Sequence, residues 1–440
     1  MTTPLLAVRG LEVRHRSDAR PLLRDVHLEL NAGESLGLVG QSGSGKSTLL
    51  HTVAGLVPWL RAADVHGNVL VDGESVQDLD PGQRARLVAT CLDRPEAQLF
   101  LQTPRQELEA AERLHGKSEL AGRAVDELSL GPLLERRITE LSSGERQRVA
   151  LAVALSGAPR PVLLDEPTVH LDAAGAAAVS RLLIAARAVG GGVLAAEQAG
   201  WRVAAGVESW VLLHDGGVAP CPPPVVPALA APAHAPSDRV VLAARDLRVE
   251  RGGRRLLDGV CLELRAGEIV AVTGPNSCGK SSLARVLAGL ARPARGRVTR
   301  AGGGVALMLP DAELQLFSTS VTGELAAVGA RPAELAKVLR RHRLESLAAR
   351  APWTLSRGER QRLVHAALDV LRPAALVVDE PGQGLDPDNL VQLVDLIQRR
   401  AERGRAYLVI SHRQELAAAA HRHLRVVDGG LVEVAGGGAR

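Results

Sequence analysis

The chain has 440 residues, 46% hydrophobic and 23% charged, with 53 basic against 49 acidic side chains and a formal net charge of +4; these are globular values with room for two or three domains, and they exclude a disordered or collagen-like chain. A 2% aromatic content and so small a charge excess argue against a stacking platform or a basic footprint, so no nucleic-acid partner is expected. No apolar run approaches the roughly 18 residues of a membrane span, the four cysteines (Cys91, Cys221, Cys261, Cys278) have neither disulfide-framework nor zinc spacing, and MTTPLLAVRG does not read as a secretory leader, so a reduced, intracellular setting is expected.

In chain order, the apolar run SLGLVG predicts a strand that opens onto GQSGSGKST at 40–48 and then a helix ending in Ala54-Gly55-Leu56. This is the GxxxxGK[ST] pattern. Its glycines let successive backbone N–H groups curl around phosphate, the lysine reaches the terminal phosphates, and the hydroxyl can hold Mg²⁺. Only four lysines occur in the chain (Lys46, Lys117, Lys280, Lys337), and Lys46 stands where a compact ammonium fits among phosphates better than a guanidinium fork. GNVLVDGESVQDLDPGQRARL then predicts small antiparallel strands and a short helix. RPEAQLF (94–100) precedes TPRQELEAA, LSSGE stands at 141–145, and VLLDEP at 162–167 is a buried strand closing on Asp165 and Glu166. Carboxylates at that place can hold a cation and polarise water, whereas a lone pair of acids at a strand end could equally be a solvated turn.

Ala219–Ser237 holds seven prolines and no charge, which predicts an extended, semi-rigid spacer. Beyond it the chain repeats itself. GPNSCGKSS (274–282), DAELQLF (311–317), LSRGERQR (355–362) and LVVDEP (376–381) answer the earlier segments, with Lys46 and Lys280 234 residues apart and Asp165 and Asp379 214 apart. The 20 residues missing from the second copy fall mostly before its QLF tripeptide, so its antiparallel part is predicted to be trimmed. Domains are expected at 1–218 and 238–440, each α/β with a mainly parallel sheet. Cys278 reads as a small residue filling a small-residue position of the second P-loop.

LSSGE and LSRGE beside two P-loops and two Asp-Glu pairs resemble the signature motifs of ABC-transporter ATPases. The resemblance covers nearly the whole chain. It implies two tandem P-loop NTPase domains, each with a parallel core sheet, a small antiparallel β-subdomain and a helical subdomain. It also implies ATP and Mg²⁺ as cofactors and pairing of the two halves within one chain. Carried over by position, Gly40, Ser42, Gly43, Gly45, Lys46, Ser47 and Thr48 would bind one nucleotide. Gly274, Asn276, Gly279, Lys280, Ser281 and Ser282 would bind the other. Ser47 with Asp165, and Ser281 with Asp379, would hold Mg²⁺. Ser356 and Gly358 would complete the first site, and Ser142 and Gly144 the second. Glu166 and Glu380 would act on water. Leu171-Asp172 and Leu385-Asp386 match the D-loop.

The copies depart from that pattern unequally. The switch histidine is matched by His412, but the first copy has Gln198, which cannot titrate or carry charge. An asymmetric pair is therefore expected, with the Lys280 site the more active. The Q-loop glutamine falls on Asp93 and on Pro310, beside Asp311, so neither copy keeps it. The adenine-stacking position falls on His15 and Arg251. The Gln-Leu-Phe tripeptides and the downstream Glu-Leu resemble the ATPases of energy-coupling factor (ECF, CbiO-type) importers. That implies a vitamin or metal-ion importer whose separate transmembrane subunit and substrate-binding membrane component meet this chain at the cytoplasmic membrane face, with Glu96 and Glu313 facing the partner's arginines. A plain Leu/Phe core pair is the competing reading of the tripeptide. A fused oligopeptide- or nickel-type importer ATPase remains an alternative, as does a soluble ABC-type translation factor, against which the uncharged, proline-rich joint weighs.

Overall fold

The computed structural model describes residues 3–16, 20–59, 62–157, 160–310, 312–355, 357–382 and 385–434. Ser356, Asp311 and the side chain of Glu313 lie outside the described set. The chain forms two compact units, 1–226 and 227–440. Among the described residues no helix is long and apolar enough to cross a membrane.

The first unit opens with β1 (Leu6–His15) and β2 (Leu23–Leu30), followed by β3 (Ser35–Val39) and α1 (Lys46–Val53). Next come β4 (Ala63–Val71), β5 (Glu74–Ser75), α2 (Pro81–Ala85) and β6 (Ala89–Cys91). The helical part is α3 (Pro104–His115), α4 (Glu119–Glu127) and α5 (Ser143–Leu155). The chain returns through β7 (Pro161–Asp165), α6 (Ala173–Ala188), β8 (Gly192–Ala196), β9 (Ser209–His214) and β10 (Gly217–Cys221). The core sheet runs β10-β9-β3-β8-β7-β6, parallel except for β10, and a four-stranded antiparallel sheet runs β2-β1-β4-β5. β7 and β8 are buried at every position, as strands covered on both faces must be, which is why they read as unbroken apolar runs.

The second unit repeats this order with β11 (Val240–Arg251), β12 (Arg254–Arg265), β13 (Ile269–Thr273), α7 (Lys280–Ala288), β14 (Arg295–Arg300) and β15 (Val305–Met308). It continues through α8 (Val321–Ala327), α9 (Pro332–Arg341), α10 (Arg357–Leu371) and β16 (Ala375–Asp379). It closes with α11 (Pro387–Ala401), β17 (Ala406–Ile410), α12 (Glu415–Ala418), β18 (Arg422–Val427) and β19 (Gly430–Val434). Its six-stranded sheet, β15-β16-β17-β13-β18-β19, matches the first strand for strand, but among the described residues its antiparallel sheet has three strands, β12-β11-β14. The trimming expected from the missing residues is thus the loss of the counterparts of β5 and α2.

That loss removes a helix cap, and the second unit supplies it differently. In the first unit Arg84, on α2, donates to the carbonyls of Thr52 and Val53 at the end of α1. In the second unit Arg300, on β14, donates to Val286 and Leu287, the same two positions of α7. A guanidinium at a helix C-terminus satisfies orphan carbonyls and complements the helix dipole, and the P-loop helix keeps that support in both copies.

The proline-rich stretch has no helix or strand over 222–235. Within the second unit, Ala230 accepts from Gln398 Nε2 at 2.8 Å, His234 Nε2 lies 2.8 Å from the Gly267 carbonyl, and Leu229 packs on the apolar cluster under α11.

Candidate functional site

In each unit the strand–loop–helix order of the P-loop sets a ring of N–H groups at the C-terminal end of a central parallel strand, where open α/β sheets bind ligands. Gly45 and Gly279 precede α1 and α7 with φ of 110° and 103°, and no side chain caps either helix. As N-cap residues the two glycines offer no side chain to the first-turn N–H groups, and a helix N-terminus so opened can receive phosphate. Lys46 and Lys280 are buried, and each folds back on its loop. Lys46 Nζ donates to the Gly40 and Gln41 carbonyls at 2.7 and 3.1 Å, and Lys280 Nζ to Gly274 and Pro275 at 2.8 and 2.7 Å. A Cβ on Gly40 would sit 2.5 Å from the Leu213 carbonyl oxygen, so the loop closes only with glycine there. Ser42 and Asn276 lie on the turns, with Thr48 buried and Ser282 half-buried in the first helical turns.

The loops differ at one turn. Gly43 has φ 84°, and its counterpart Ser277 takes φ 62°, a conformation that costs an L-residue roughly 1–2 kcal/mol. Ser277→Gly should stabilise the second unit by about 0.5–1 kcal/mol, since part of the relieved strain is offset by glycine's extra unfolded-state entropy. Chemical denaturation of the variant reads this, and an unchanged or lower midpoint would contradict it.

β7 and β16 deliver Asp165 and Asp379 below these loops, Asp165 with no exposure at all. Burial pushes the Asp165 carboxyl up to about 7, with Glu166 adding to the rise and Ser47 opposing it. Burial likewise pushes Asp379 up to about 6, against the Ser281 hydroxyl. The hydroxyls lie close enough to act, yet among the described residues neither Asp165 oxygen, nor Asp379 Oδ1, completes a hydrogen bond of normal geometry. A buried carboxylate beside a P-loop hydroxyl with open lone pairs suits a hard divalent cation, and the residues present fit Mg²⁺. Because the native state holds these protons more tightly than the unfolded chain, stability without divalent cations should fall as pH rises from about 4 to about 7. Added Mg²⁺ should restore it above pH 7 and do little at pH 5. Denaturation curves at the two pH values, in chelator or Mg²⁺, test this, and an equal Mg²⁺ effect at both would refute it.

Glu166 and Glu380 occupy left-handed backbone, φ 51° and 52°. Their amides donate to the Ala196 and Ile410 carbonyls at 2.9 and 2.8 Å, which turns each side chain off the strand end. Such strain in a non-glycine residue concentrates at functional sites, and it recurs here at the two acids marked in the sequence.

Around these acids the copies part. In the second unit Glu380 Oε2 accepts from Ser411 Oγ at 2.8 Å and lies 3.0 Å from His412 Nδ1, while the His412 amide donates to Oε1 at 3.0 Å. Burial alone would raise Glu380, but the His412 and Ser411 hydrogen bonds with the Lys280 charge outweigh it and hold the carboxyl below its ordinary value. In the first unit Glu197 stands at the Ser411 position. It accepts instead from the amide and hydroxyl of Thr168 at 2.9 and 2.7 Å, and burial raises it despite those bonds and Arg202. The Gln198 Oε1 is buried without a hydrogen-bond partner among the described residues. The difference between the copies is therefore a pair of positions, Ser411-His412 against Glu197-Gln198, of which sequence reasoning caught only the second.

Asp93 has an unforeseen neighbour. His51, on α1, places Nε2 3.8 Å from Asp165 Oδ2, and donor atoms of His51, Asp93 and Asp165 all lie within 4.8 Å of one another. The second copy carries Arg285 and Pro310 at the positions of His51 and Asp93, and Arg285 acts to lower Asp379. His51 could have been found from the repeat, as a His-for-Arg exchange one turn into the P-loop helix.

The Gln-Leu-Phe segments resolve into three separate jobs. Gln98 Oε1 accepts from the Leu92 amide at 2.6 Å and its Nε2 donates to the Thr90 carbonyl at 3.1 Å; Gln315 does the same with Leu309 and Leu307, at 2.8 and 3.0 Å. Leu99 is buried. Phe100 and Phe317, the chain's two phenylalanines, are 82% and 84% exposed. A Leu/Phe core pair is thus half right: Leu99 is buried and Leu316 packs half-buried on the core, while neither phenylalanine enters it. The buried carboxylate of Glu107 takes the Phe100 and Leu101 amides at 2.5 and 2.6 Å, and Glu324 takes Phe317 and Ser318 at 2.9 and 2.7 Å. Glu96 is exposed on the same turn.

Ser142 caps α5 in a capping box with Glu145, its amide 2.7 Å from Glu145 Oε2, and Gly144 lies in the first turn. Gly358 occupies the same turn of α10. Asp172 and Asp386 cap α6 and α11 through the Gly175 and Asn389 amides at 3.0 and 2.8 Å. His15 is half-buried and Arg251 exposed.

The two P-loop units, each with a strand-end carboxylate pair and a capped signature helix, define a tandem nucleotide-hydrolysing protein. Residues 23–169 and 257–383 match the ABC transporter family. A putative-transporter ATP-binding protein of Streptomyces avermitilis is 31% identical over 97% of this chain and 93% of its own length. One of Treponema denticola is 26% identical over 97% and 96%. A Bacillus subtilis protein named for HMP/thiamine import is 27% identical over 94% and 88%. Among solved structures, an RNase-L inhibitor superposes with a TM-score of 0.68 over 96% of this chain and 90% of that one, at 19% identity. An archaeal ribosome recycling factor, solved with a ribosomal stalk protein, gives 0.69 over 97% and 90%, also at 19% identity; these two show the shared tandem fold. The chain belongs to the ABC transporter family as an ATP-binding protein with two ABC domains, and it is an ATPase.

Proposed function

We propose that this ATPase powers an importer of the energy-coupling factor type, working on a separate transmembrane subunit at the cytoplasmic membrane face. The observation that carries the reading is the matched exposure of Phe100 and Phe317, each held out by a buried glutamate. Two equivalent turns that spend a buried carboxylate to present an aromatic ring to solvent suit a partner with apolar sockets. The relative named for HMP/thiamine import supports a vitamin-class cargo.

The nucleotide sites follow the sequence reading. Lys46 and Lys280 release their loop carbonyls to bind ATP phosphates, and Ser47 with Asp165, and Ser281 with Asp379, hold Mg²⁺. When bound, the ion neutralises phosphate charge and aligns the terminal phosphate. Glu380, oriented by Ser411 and His412, polarises the attacking water. Glu166 and Gln198 hold the equivalent place in the slower site. Ser142 and Gly144 serve the Lys280 nucleotide, and Ser356 and Gly358 the Lys46 nucleotide. ATP binding pairs the halves and hydrolysis releases them, shifting the partner between conformations.

Affinity purification from membranes in mild detergent, followed by mass spectrometry, tests the reading. A polytopic protein with a small hydrophobic binding subunit is expected. Two permeases with an extracellular binding protein would move the protein to the oligopeptide or nickel type, and ribosomal proteins alone would overturn the importer.

A further inference from the structure

The second unit contains a cavity of about 460 Å³ between α10, α11 and the turn after α9. Six arginines line it: Arg341, Arg343, Arg362, Arg399, Arg400 and Arg403. Among the described residues Asp395 is the one acid on the lining, paired with Arg399 at 2.7 Å. Among the described residues no ion pair engages Arg341, Arg362 or Arg403.

The repeat supplies a control. At the 214-residue offset the first unit carries Glu127, Ser129, Arg148, Ala185, Ala186 and Val189 at these six positions, so a single arginine is common to both copies. The wall behind the cavity changed as well. The first unit fills it with Leu128, Leu151 and Leu155, all buried, where the second has His342, His365 and Asp369. His342 Nε2 lies 3.0 Å from Asp369 Oδ2, Arg405 donates to Asp369 Oδ1 at 2.6 Å, and Arg400 also pairs with Asp369. An apolar core has been exchanged for an ionic network that fixes Arg400, an exchange that by itself stabilises a fold little or not at all.

Among the described residues, three polar atoms of the lining are buried without a hydrogen-bond partner: Arg362 Nε, His365 Nε2 and Arg400 Nε. His365 and Arg400 are themselves at least nine-tenths buried. Buried polar atoms left open are costly, and convergent guanidiniums repel one another unless an anion lies among them. Guanidinium forks match phosphate oxygens two at a time, and the volume falls within the range of small-molecule sites.

We propose that this cavity is a binding site for a small molecule carrying two or more phosphate groups, distinct from both P-loops and sharing only Gly358 with the residues assigned above to a nucleotide. Gly358, in the first turn of the signature helix, is part of the lining, so the bound anion braces α10 against α11 next to the signature motif.

Inorganic pyrophosphate is the probe, titrated calorimetrically without divalent cations at fixed ionic strength into the full chain with both P-loop lysines replaced (Lys46→Ala, Lys280→Ala). One equivalent is expected to bind. Adding Arg399→Ala and Arg403→Ala, both exposed and outside the nucleotide machinery, should weaken it at least tenfold. The same two arginine substitutions in the otherwise unaltered chain should remove one equivalent from the total, which guards against a folding defect in the lysine variants. No binding in the lysine-replaced chain, or equal binding with and without the arginines, overturns the site. Failure of the ATPase reading would show separately, as absence of nucleotide binding to the unaltered chain.

Discussion

Replacing Glu380 with glutamine should lower steady-state ATP hydrolysis about 100-fold or more, while Glu166→Gln should lower it no more than about 3-fold. The first figure is the ordinary size of a positioned general base. The second follows from the surroundings of the two acids. Glu380 is gripped by Ser411, the His412 amide and the His412 ring, at 2.8 to 3.0 Å. In the first unit Glu197 has turned to Thr168, and Gln198 offers no charge. Both acids share the left-handed backbone, so the asymmetry lies in the partners and not in the strain. The converse experiment is more stringent: Glu197→Ser with Gln198→His should rebuild the second unit's arrangement around Glu166. Turnover with Glu380→Gln in place should then recover part of its loss. Equal losses from the two single glutamine variants, in phosphate-release assays at saturating ATP, would show that both sites turn over.

The legible part of this molecule is the part that short-range geometry dictates. A glycine loop that must curl around phosphate, a buried parallel strand that must end on a carboxylate, and a Ser-x-x-Glu capping box each need particular residues at fixed spacing. The first two stand in the sequence reading, whereas the capping box of Ser142 and Glu145 came only with the structure. The repeat added the trimmed sheet and the His412/Gln198 difference. What could not be read depends on packing between segments far apart in sequence. Phe100 and Phe317 carry the hydrophobicity of core residues, and nothing local says that Glu107 and Glu324 take their backbone amides and turn them outward. His51 is an unremarkable residue on an apolar helix until α1 is laid beside β7. The arginine cavity needs α9, α10 and α11 together, although its raw material, charged residues where the other copy has leucine and alanine, was visible at the constant offset. Neither did the sequence disclose that two different arginines, Arg84 and Arg300, cap the same helix turn in the two copies.

On the importer proposal, Phe100→Asp combined with Phe317→Asp should abolish stable association with the proposed membrane partner and stop uptake, while basal ATPase of the isolated chain stays within about 2-fold. Burying a phenylalanine side chain at an interface contributes roughly 1.5–3 kcal/mol. Losing two, and forcing two carboxylates into apolar sockets, therefore weakens association by at least about 100-fold. Both rings are already in solvent, at 82% and 84% exposure, so the folded chain loses nothing by the exchange, and surface changes of this kind alter stability by about 0.5 kcal/mol or less. The glutamates beneath them separate presentation from chemistry. Glu107→Ala and Glu324→Ala remove the acceptor for four backbone amides, so they should loosen the turns and weaken partner binding with the phenylalanines intact. Glutamine at the same positions keeps one carbonyl acceptor and should restore part of the association. Co-purification from membranes and uptake assays give the two readouts, with ATPase of the isolated chain as the reference. Full partner binding by the double aspartate variant would mean that these rings face something other than the membrane subunit, and the importer reading would lose the observation that carries it.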